Sequence, residues 1–124
     1  MRRLLGLGLL FAGISAGAAM AQGAGAFDGQ YVGELTLVRV IQGDCSKPPL
    51  GSLYPLTVAQ NQVRFLYTPR FSTMLVGSVD RNGVISATAR AHKGVVKMTG
   101  RIRGSSVAAT ILSPSCQYDF KTKP

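Results

Sequence analysis

The sequence predicts an all-β domain, an antiparallel meander of about eight strands that forms a small closed or partly open barrel. After residue 26 of the 124-residue chain, short stretches alternate apolar with polar residues, and no stretch has a convincing helical period. Such alternation is typical of strands with one buried face. Closure into a barrel leaves no unpaired strand edge, which favours a barrel over the alternative, a sandwich of two sheets.

The first predicted strand, about Gln30 to Gln42, is rich in β-branched residues. Residues 43–53 are predicted to form one long loop, because Pro48, Pro49 and two glycines cannot sustain a ladder of hydrogen bonds. Within the strands that we predict, Gly33, Gly77 and Gly100 indicate sharp curvature, since glycine in a strand often marks a bend of a barrel.

The later strands are short and separated by turn residues, among which Asn82-Gly83 is a strong hairpin signal. They are predicted at about Tyr54–Ala59, Gln62–Thr68, Thr73–Val79, Val84–Arg90, Val96–Arg103, Val107–Leu112 and Cys116–Lys121. The clearest alternation lies in the sixth strand, where Val96, Met98 and Ile102 are predicted to point inward.

The first residues have the pattern of a secretory signal peptide. Arg2 and Arg3 precede an apolar run, Leu4 to Ile14, and Ala19-Met20-Ala21 resembles a cleavage site. The run is shorter than the roughly 20 apolar residues that span a bilayer, so a permanent anchor is the weaker interpretation. We therefore expect a signal peptide over residues 1–21, a tether over 22–26, a single domain over 27–124, and a periplasmic or secreted location.

The two cysteines, Cys45 and Cys116, are an even number in a chain expected to be exported, which predicts one disulfide. Two unpaired thiols or a metal pair are the alternatives. A zinc site is disfavoured because the single histidine, His92, cannot complete a set of four ligands. We predict neither a metal nor a cofactor.

The chain is strongly basic. Of its 14 Lys and Arg residues, 12 follow residue 21 together with all five acidic residues, a net charge of +7. Such a charge favours an anionic partner, either an anionic envelope component or an acidic protein, whereas nucleic acid is not expected outside the cytoplasm. The alternative is that the charge only keeps the protein soluble.

Two regions are candidate binding sites. The first is a basic outer face with possible anion-binding residues Arg64, Arg90, Lys97, Arg101, Arg103 and Lys121, although ordinary solvated surface charge would give the same pattern. The second is the 43–53 loop with Tyr54 and the Pro69-Arg70-Phe71 corner, since binding residues often lie on loops of a rigid scaffold. Its alternative is a plain connection held by Cys45.

The residues that usually perform catalysis are few and scattered. Acid–base catalysis requires titratable groups held close together, but the five carboxylates are isolated in sequence and His92 lies in a predicted turn. We find no nucleophile elbow and no glycine-rich phosphate loop. The sequence therefore predicts a protein that is not an enzyme and has no catalytic residues.

Several short segments resemble a loosely defined group of small exported bacterial proteins of unknown function. They are Phe27-Asp28-Gly29-Gln30-Tyr31-Val32-Gly33, Gly77-Ser78-Val79-Asp80 with Gly83, Thr99-Gly100-Arg101-Ile102-Arg103-Gly104, and Cys116-Gln117-Tyr118. The resemblance covers most of the chain after residue 26. It implies a small β fold outside the cytoplasm and assigns neither an activity nor a site residue.

These observations lead to the hypothesis of an exported, non-enzymatic, β-barrel-like binding or interaction module, with an anionic partner as one possibility. The alternative is an inhibitor of a secreted or periplasmic hydrolase, because small exported eight-stranded barrels with one disulfide include such inhibitors. A basic inhibitor would suit an acidic enzyme.

Overall fold

The barrel expected from the alternating sequence is present in a computed structural model, which describes residues 25–68, 73–91 and 93–123. The eight strands are β1 Gly29–Val40, β2 Tyr54–Ala59, β3 Gln62–Thr68, β4 Thr73–Val79, β5 Val84–Ala91, β6 Gly94–Arg103, β7 Ser106–Leu112 and β8 Cys116–Thr122. Each strand pairs antiparallel with the next, and β8 pairs with β1. The predicted antiparallel barrel is confirmed, and the two-sheet sandwich is not formed.

Strands β2, β3 and β4 have the predicted bounds, whereas β1 ends at Val40, two residues earlier than expected. The chain leaves the ladder there because the backbone N–H groups of Ile41 and Gln42 both donate to the carbonyl of Ser115. β1 pairs with two strands. Its residues up to Gly33 pair with β2, and those from Gly33 onward pair with β8. This change of neighbour closes the sheet.

The interior of the barrel is a packed apolar core. The side chains with no exposed surface include Leu56, Phe65, Leu75, Ile85, Met98, Ile111 and Phe120. The rings of Phe65 and Phe120 meet edge to face with centroids 5.0 Å apart, a favourable arrangement of their quadrupoles. No polar or charged residue in the described parts of the chain is buried. Side chains therefore fill the space that wider barrels leave for a ligand.

The lower end of the barrel, where β1 begins, is covered by the residues that precede β1. Phe27 packs against the core, and the hydroxyl of Tyr31 donates to its carbonyl at 2.6 Å. The carboxylate of Asp28 accepts the backbone N–H of Gln60 at 2.9 Å. The start of the described chain is thus tied to the β2–β3 turn.

The upper end carries the long loop between β1 and β2. The predicted disulfide is present and joins Cys45 in this loop to Cys116 at the start of β8, with Cα atoms 5.8 Å apart. One residue further along the loop, the carbonyl of Ser46 accepts the hydroxyl of Tyr118 at 2.7 Å. Two anchors therefore hold the loop to the last strand.

Some sequence predictions concern residues outside the described ranges. They are the signal peptide with its cleavage site, the Pro69-Arg70-Phe71 corner and His92. Within the ranges that the structure describes, no helix has the length and apolar character needed to cross a membrane.

Candidate anion-binding cleft

Three of the predicted anion-binding residues lie around one shallow cleft on the outside of the barrel. Strand register places Ala108 of β7 between Arg101 of β6 and Lys121 of β8. Two residues further along β6, Arg103 is opposite Ser106 of β7. All five side chains are exposed, because alternation on each strand directs these positions away from the core.

The cleft has a volume of about 470 Å³, and its other lining residues are Ser106, Val107, Ala108 and Thr122. Neighbouring strands lie about 4.8 Å apart, so the backbones of Arg101 and Lys121 are separated by about 10 Å across β7. The small side chains of β7 leave this space open. Two arginines and one lysine can therefore reach over the same floor toward a single anion.

Thr122 holds the lower end of β8 beside the cleft. Its Oγ1 accepts the backbone N–H of Val107 at 2.8 Å, and Val107 itself is buried in the core. Since Lys121 directly precedes Thr122, this hydrogen bond fixes the backbone from which the lysine side chain extends. The sequence gives no local signal for Thr122, Ser106 or Ala108, because only strand pairing shows that they adjoin the cations.

Three carboxylates lie near the cleft, those of Glu34, Asp80 and Asp119, but none of them lines it. Asp119 precedes Lys121 by two residues on β8 and lines an adjoining cleft that shares Ala108 and Lys121, and its Oδ1 accepts the hydroxyl of Thr110 at 3.5 Å. Glu34 is opposite Lys121 in register, but its Oε2 lies 3.2 Å from Nζ of Lys123. Asp80 accepts the backbone N–H groups of Asn82 at 2.8 Å and Val84 at 3.0 Å. The bond from Val84 is the main cause that lowers the pKa of Asp80, and the nearby positive charge of Arg101 contributes. The cleft itself is cationic.

The other predicted cations do not reach this cleft. Lys97 is four residues from Arg101 along β6, a separation of about 13 Å. Arg90, opposite Val95, is a diagonal neighbour of Lys97 on β5. Arg64 on β3 is separated from Lys97 by Val76 and Thr88 in one register row. The six residues therefore divide into a group of three, a pair and a single arginine.

The second predicted region, the 43–53 loop, forms a cleft of about 380 Å³ against the outer face of β1, lined by residues 34–37 of β1 and 47–52 of the loop. Its most prominent residue is Leu50, whose side chain is completely exposed. Tyr54 is half-buried and its ring centroid lies 6.5 Å from that of Phe65, so Tyr54 contributes to the core.

In the part of the chain that the structure describes, titratable side chains are not grouped in the way that a metal site requires. Across the described ranges, no three His, Cys, Asp or Glu residues come together.

No protein-family model matches the chain, and no curated protein and no solved structure was found to be similar to it.

Proposed function

We propose that the protein is an exported, non-enzymatic binding module that holds an anionic partner at the cleft of Arg101, Arg103 and Lys121. The observation that supports this most directly is the convergence of three cations over a floor of small residues, with no carboxylate in the lining. Guanidinium groups donate two parallel hydrogen bonds to phosphate or carboxylate, and lysine adds a point charge.

The partner that this proposal favours is an anionic envelope component or an acidic protein outside the cytoplasm. Export is supported by the N-terminal sequence pattern and by the disulfide, since disulfides persist in oxidising compartments. The packed interior supports a site on the outer surface, because the buried phenylalanines and aliphatic side chains occupy the centre of the barrel.

The proposal is tested by titrating the folded protein with inorganic phosphate at low salt while backbone amide resonances are recorded. We expect saturable shifts at Ser106, Ala108 and Thr122. The triple variant Arg101→Gln, Arg103→Gln, Lys121→Gln should lose these shifts. Raising the salt concentration from 0.1 to 1 M should weaken binding, since the Debye length falls from about 10 to 3 Å.

A charge-matched control distinguishes phosphate binding at the cleft from attraction to the net charge of the protein. The triple variant Arg39→Gln, Arg64→Gln, Lys47→Gln also removes two arginines and one lysine, all exposed and outside the cleft. It should retain the shifts at Ser106, Ala108 and Thr122. Equal loss in both triple variants would show that phosphate responds to net charge alone, and the cleft would no longer be a site.

A second function, inhibition of an acidic secreted hydrolase, is favoured by the conformation of the 43–53 loop. The N–H of Ser52 donates to the carbonyl of Pro49 at 3.1 Å, and Gly51 has a φ of 82°, which are features of a type II turn. This turn presents Leu50 at its tip. A loop anchored by Cys45 and Ser46 would insert such a side chain into a partner's pocket with little loss of entropy.

Leu50→Ser tests this second function, because Leu50 makes no contribution to the core. Inhibition assays on acidic secreted hydrolases should show inhibition by the natural protein and a loss of inhibition with the variant. Phosphate binding and thermal stability should stay the same. Identical inhibition by both proteins would exclude the loop as the inhibitory element.

A further inference from the structure

The outer surface of β4 to β7 has an unusual charge distribution. These four strands contain no Asp or Glu, although the chain has five such residues. The exposed cations on them are Arg90, Lys97, Arg101 and Arg103. We call this surface the β4–β7 face. By contrast, Glu34 and Asp119 lie on β1 and β8.

Aliphatic side chains are interspersed with these cations. The exposed aliphatic residues of the β4–β7 face are Met74, Val76, Val84, Val95 and Leu112. One register row runs Val76, Thr88, Lys97, Leu112 across all four strands. In the neighbouring row, Arg90 is opposite Val95. Cations and aliphatic groups thus alternate across the sheet, and the aliphatic groups do not form one continuous patch.

The anion-binding cleft adjoins this surface. Arg101 lies on β6 between Val84 of β5 and Ala108 of β7, so it belongs both to the face and to the cleft. These four strands form half of the circumference of the closed barrel, so an anionic partner that conformed to this curved surface would present its charged groups to the cleft at the same time.

We propose that the β4–β7 face lies on an anionic lipid bilayer, with a headgroup phosphate held in the cleft. This inference rests on the proposed anion binding by Arg101, Arg103 and Lys121. Basic residues near an anionic membrane surface are attracted to it, and exposed aliphatic side chains can enter the boundary between headgroups and acyl chains.

The distribution of apolar residues on the face favours a bilayer over an acidic protein as the occupant. The strongest contacts between proteins lie in closely packed central pockets. On the β4–β7 face, cations separate the aliphatic side chains, so the face has no such apolar centre. A fluid bilayer accommodates separate aliphatic side chains without requiring a complementary shape.

The test is co-sedimentation with vesicles of phosphatidylcholine, with and without added phosphatidylglycerol. The natural protein should bind only the vesicles that contain phosphatidylglycerol. Replacing both Arg90 and Lys97 by Gln should weaken this binding roughly 30-fold, or about fivefold for each cation. These two residues are outside the cleft, so phosphate binding by the same variant should be unchanged.

Matched valines test the aliphatic part of the proposal. Val76→Thr with Val95→Thr changes two side chains of the face that are 45% and 53% exposed. Val32→Thr with Val38→Thr changes two on β1 that are 42% and 50% exposed. The first pair should reduce vesicle binding severalfold and the second should not. Melting curves of both pairs verify that each variant is folded.

The outcomes separate this inference from the proposed function. If inorganic phosphate binds at the cleft while vesicles with and without phosphatidylglycerol behave alike, the bilayer inference is overturned and anion binding stands. Equal effects of the two valine pairs would likewise overturn the β4–β7 face as the docking surface. If phosphate fails to bind while vesicle binding depends on Val76 and Val95, the β4–β7 face stands as the docking surface and the cleft is excluded as a phosphate site.

Discussion

Asp28, at the start of the described chain, accepts the backbone N–H of Gln60 at 2.9 Å across 32 residues of sequence. Gln60 and Asn61 have φ values of 53° and 66°, as the two central residues of a type I′ hairpin turn do. The N–H of Asn61 lies 3.4 Å from the other carboxylate oxygen of Asp28. One side chain therefore joins the start of the barrel to the β2–β3 turn.

The hydrogen bonds accepted by Asp28 predict that the fold is less stable in acid. The hydrogen bond from Gln60 is the main cause that lowers the pKa of Asp28, and the bond from Val84 does the same for Asp80. A lowered pKa in the folded state means that the charged form stabilises the fold. The contribution is present above the unfolded value of about 3.9 and is lost as the pH falls through the folded pKa.

Calorimetry between pH 2 and 7 should therefore show a Tm that falls below about pH 4. The double variant Asp28→Asn, Asp80→Asn keeps an oxygen acceptor at each site but has no charge to lose. It should be less stable at pH 7 and less dependent on pH in the acid range. A pH dependence equal to that of the natural protein would contradict this assignment.

The left-handed conformation of Gln60 predicts a stabilising substitution. A non-glycine residue in this conformation costs about 1 to 2 kcal/mol, but Asn adopts it more readily than Gln. Gln60→Asn should raise the free energy of unfolding by up to about 1 kcal/mol. Chemical denaturation measures the change, and a destabilised variant would show that the Gln60 side chain makes a contact that outweighs the backbone effect.

The disulfide should contribute strongly to stability, because it joins residues 71 positions apart. In the chain-entropy model, a loop of that length corresponds to about 4 kcal/mol. Replacing Cys45 and Cys116 by Ala should lower the free energy of unfolding by roughly 2 to 5 kcal/mol. Tyr118→Phe, which keeps the disulfide and removes the hydroxyl bonded to Ser46, should cost only about 1 kcal/mol.

Close approach of β4 and β5 predicts a large effect of a single methyl group. A Cβ at Gly77 would collide with the carbonyl oxygen of Ser86 and the Cα of Ala87. Gly77→Ala should therefore cost about 1 to 3 kcal/mol, as overpacking does. Ser78→Ala at the adjacent exposed position should change stability by at most about 0.5 kcal/mol. Similar effects at both positions would contradict the close packing.

Much of the fold is predictable because the side chains of a strand alternate with a period of two residues. The outward position of Lys97 and Arg101, and the inward position of Met98, follow from the local pattern. The pairing of Cys45 with Cys116 follows from their number. The end of β1 was less predictable, because it depends on hydrogen bonds to Ser115, which is 74 residues beyond Ile41.

Local alternation of apolar and polar residues is enough to show which face of each strand is buried, because that depends only on neighbouring residues. Which cations adjoin the same cleft depends on how the strands pair. Arg101 and Lys121 adjoin one cleft because β6, β7 and β8 pair in a register that places Ala108 between them, while Arg64 is equally outward but lies on a distant strand. Strand register depends on the joint packing of all eight strands around one core, and no local pattern contains that information.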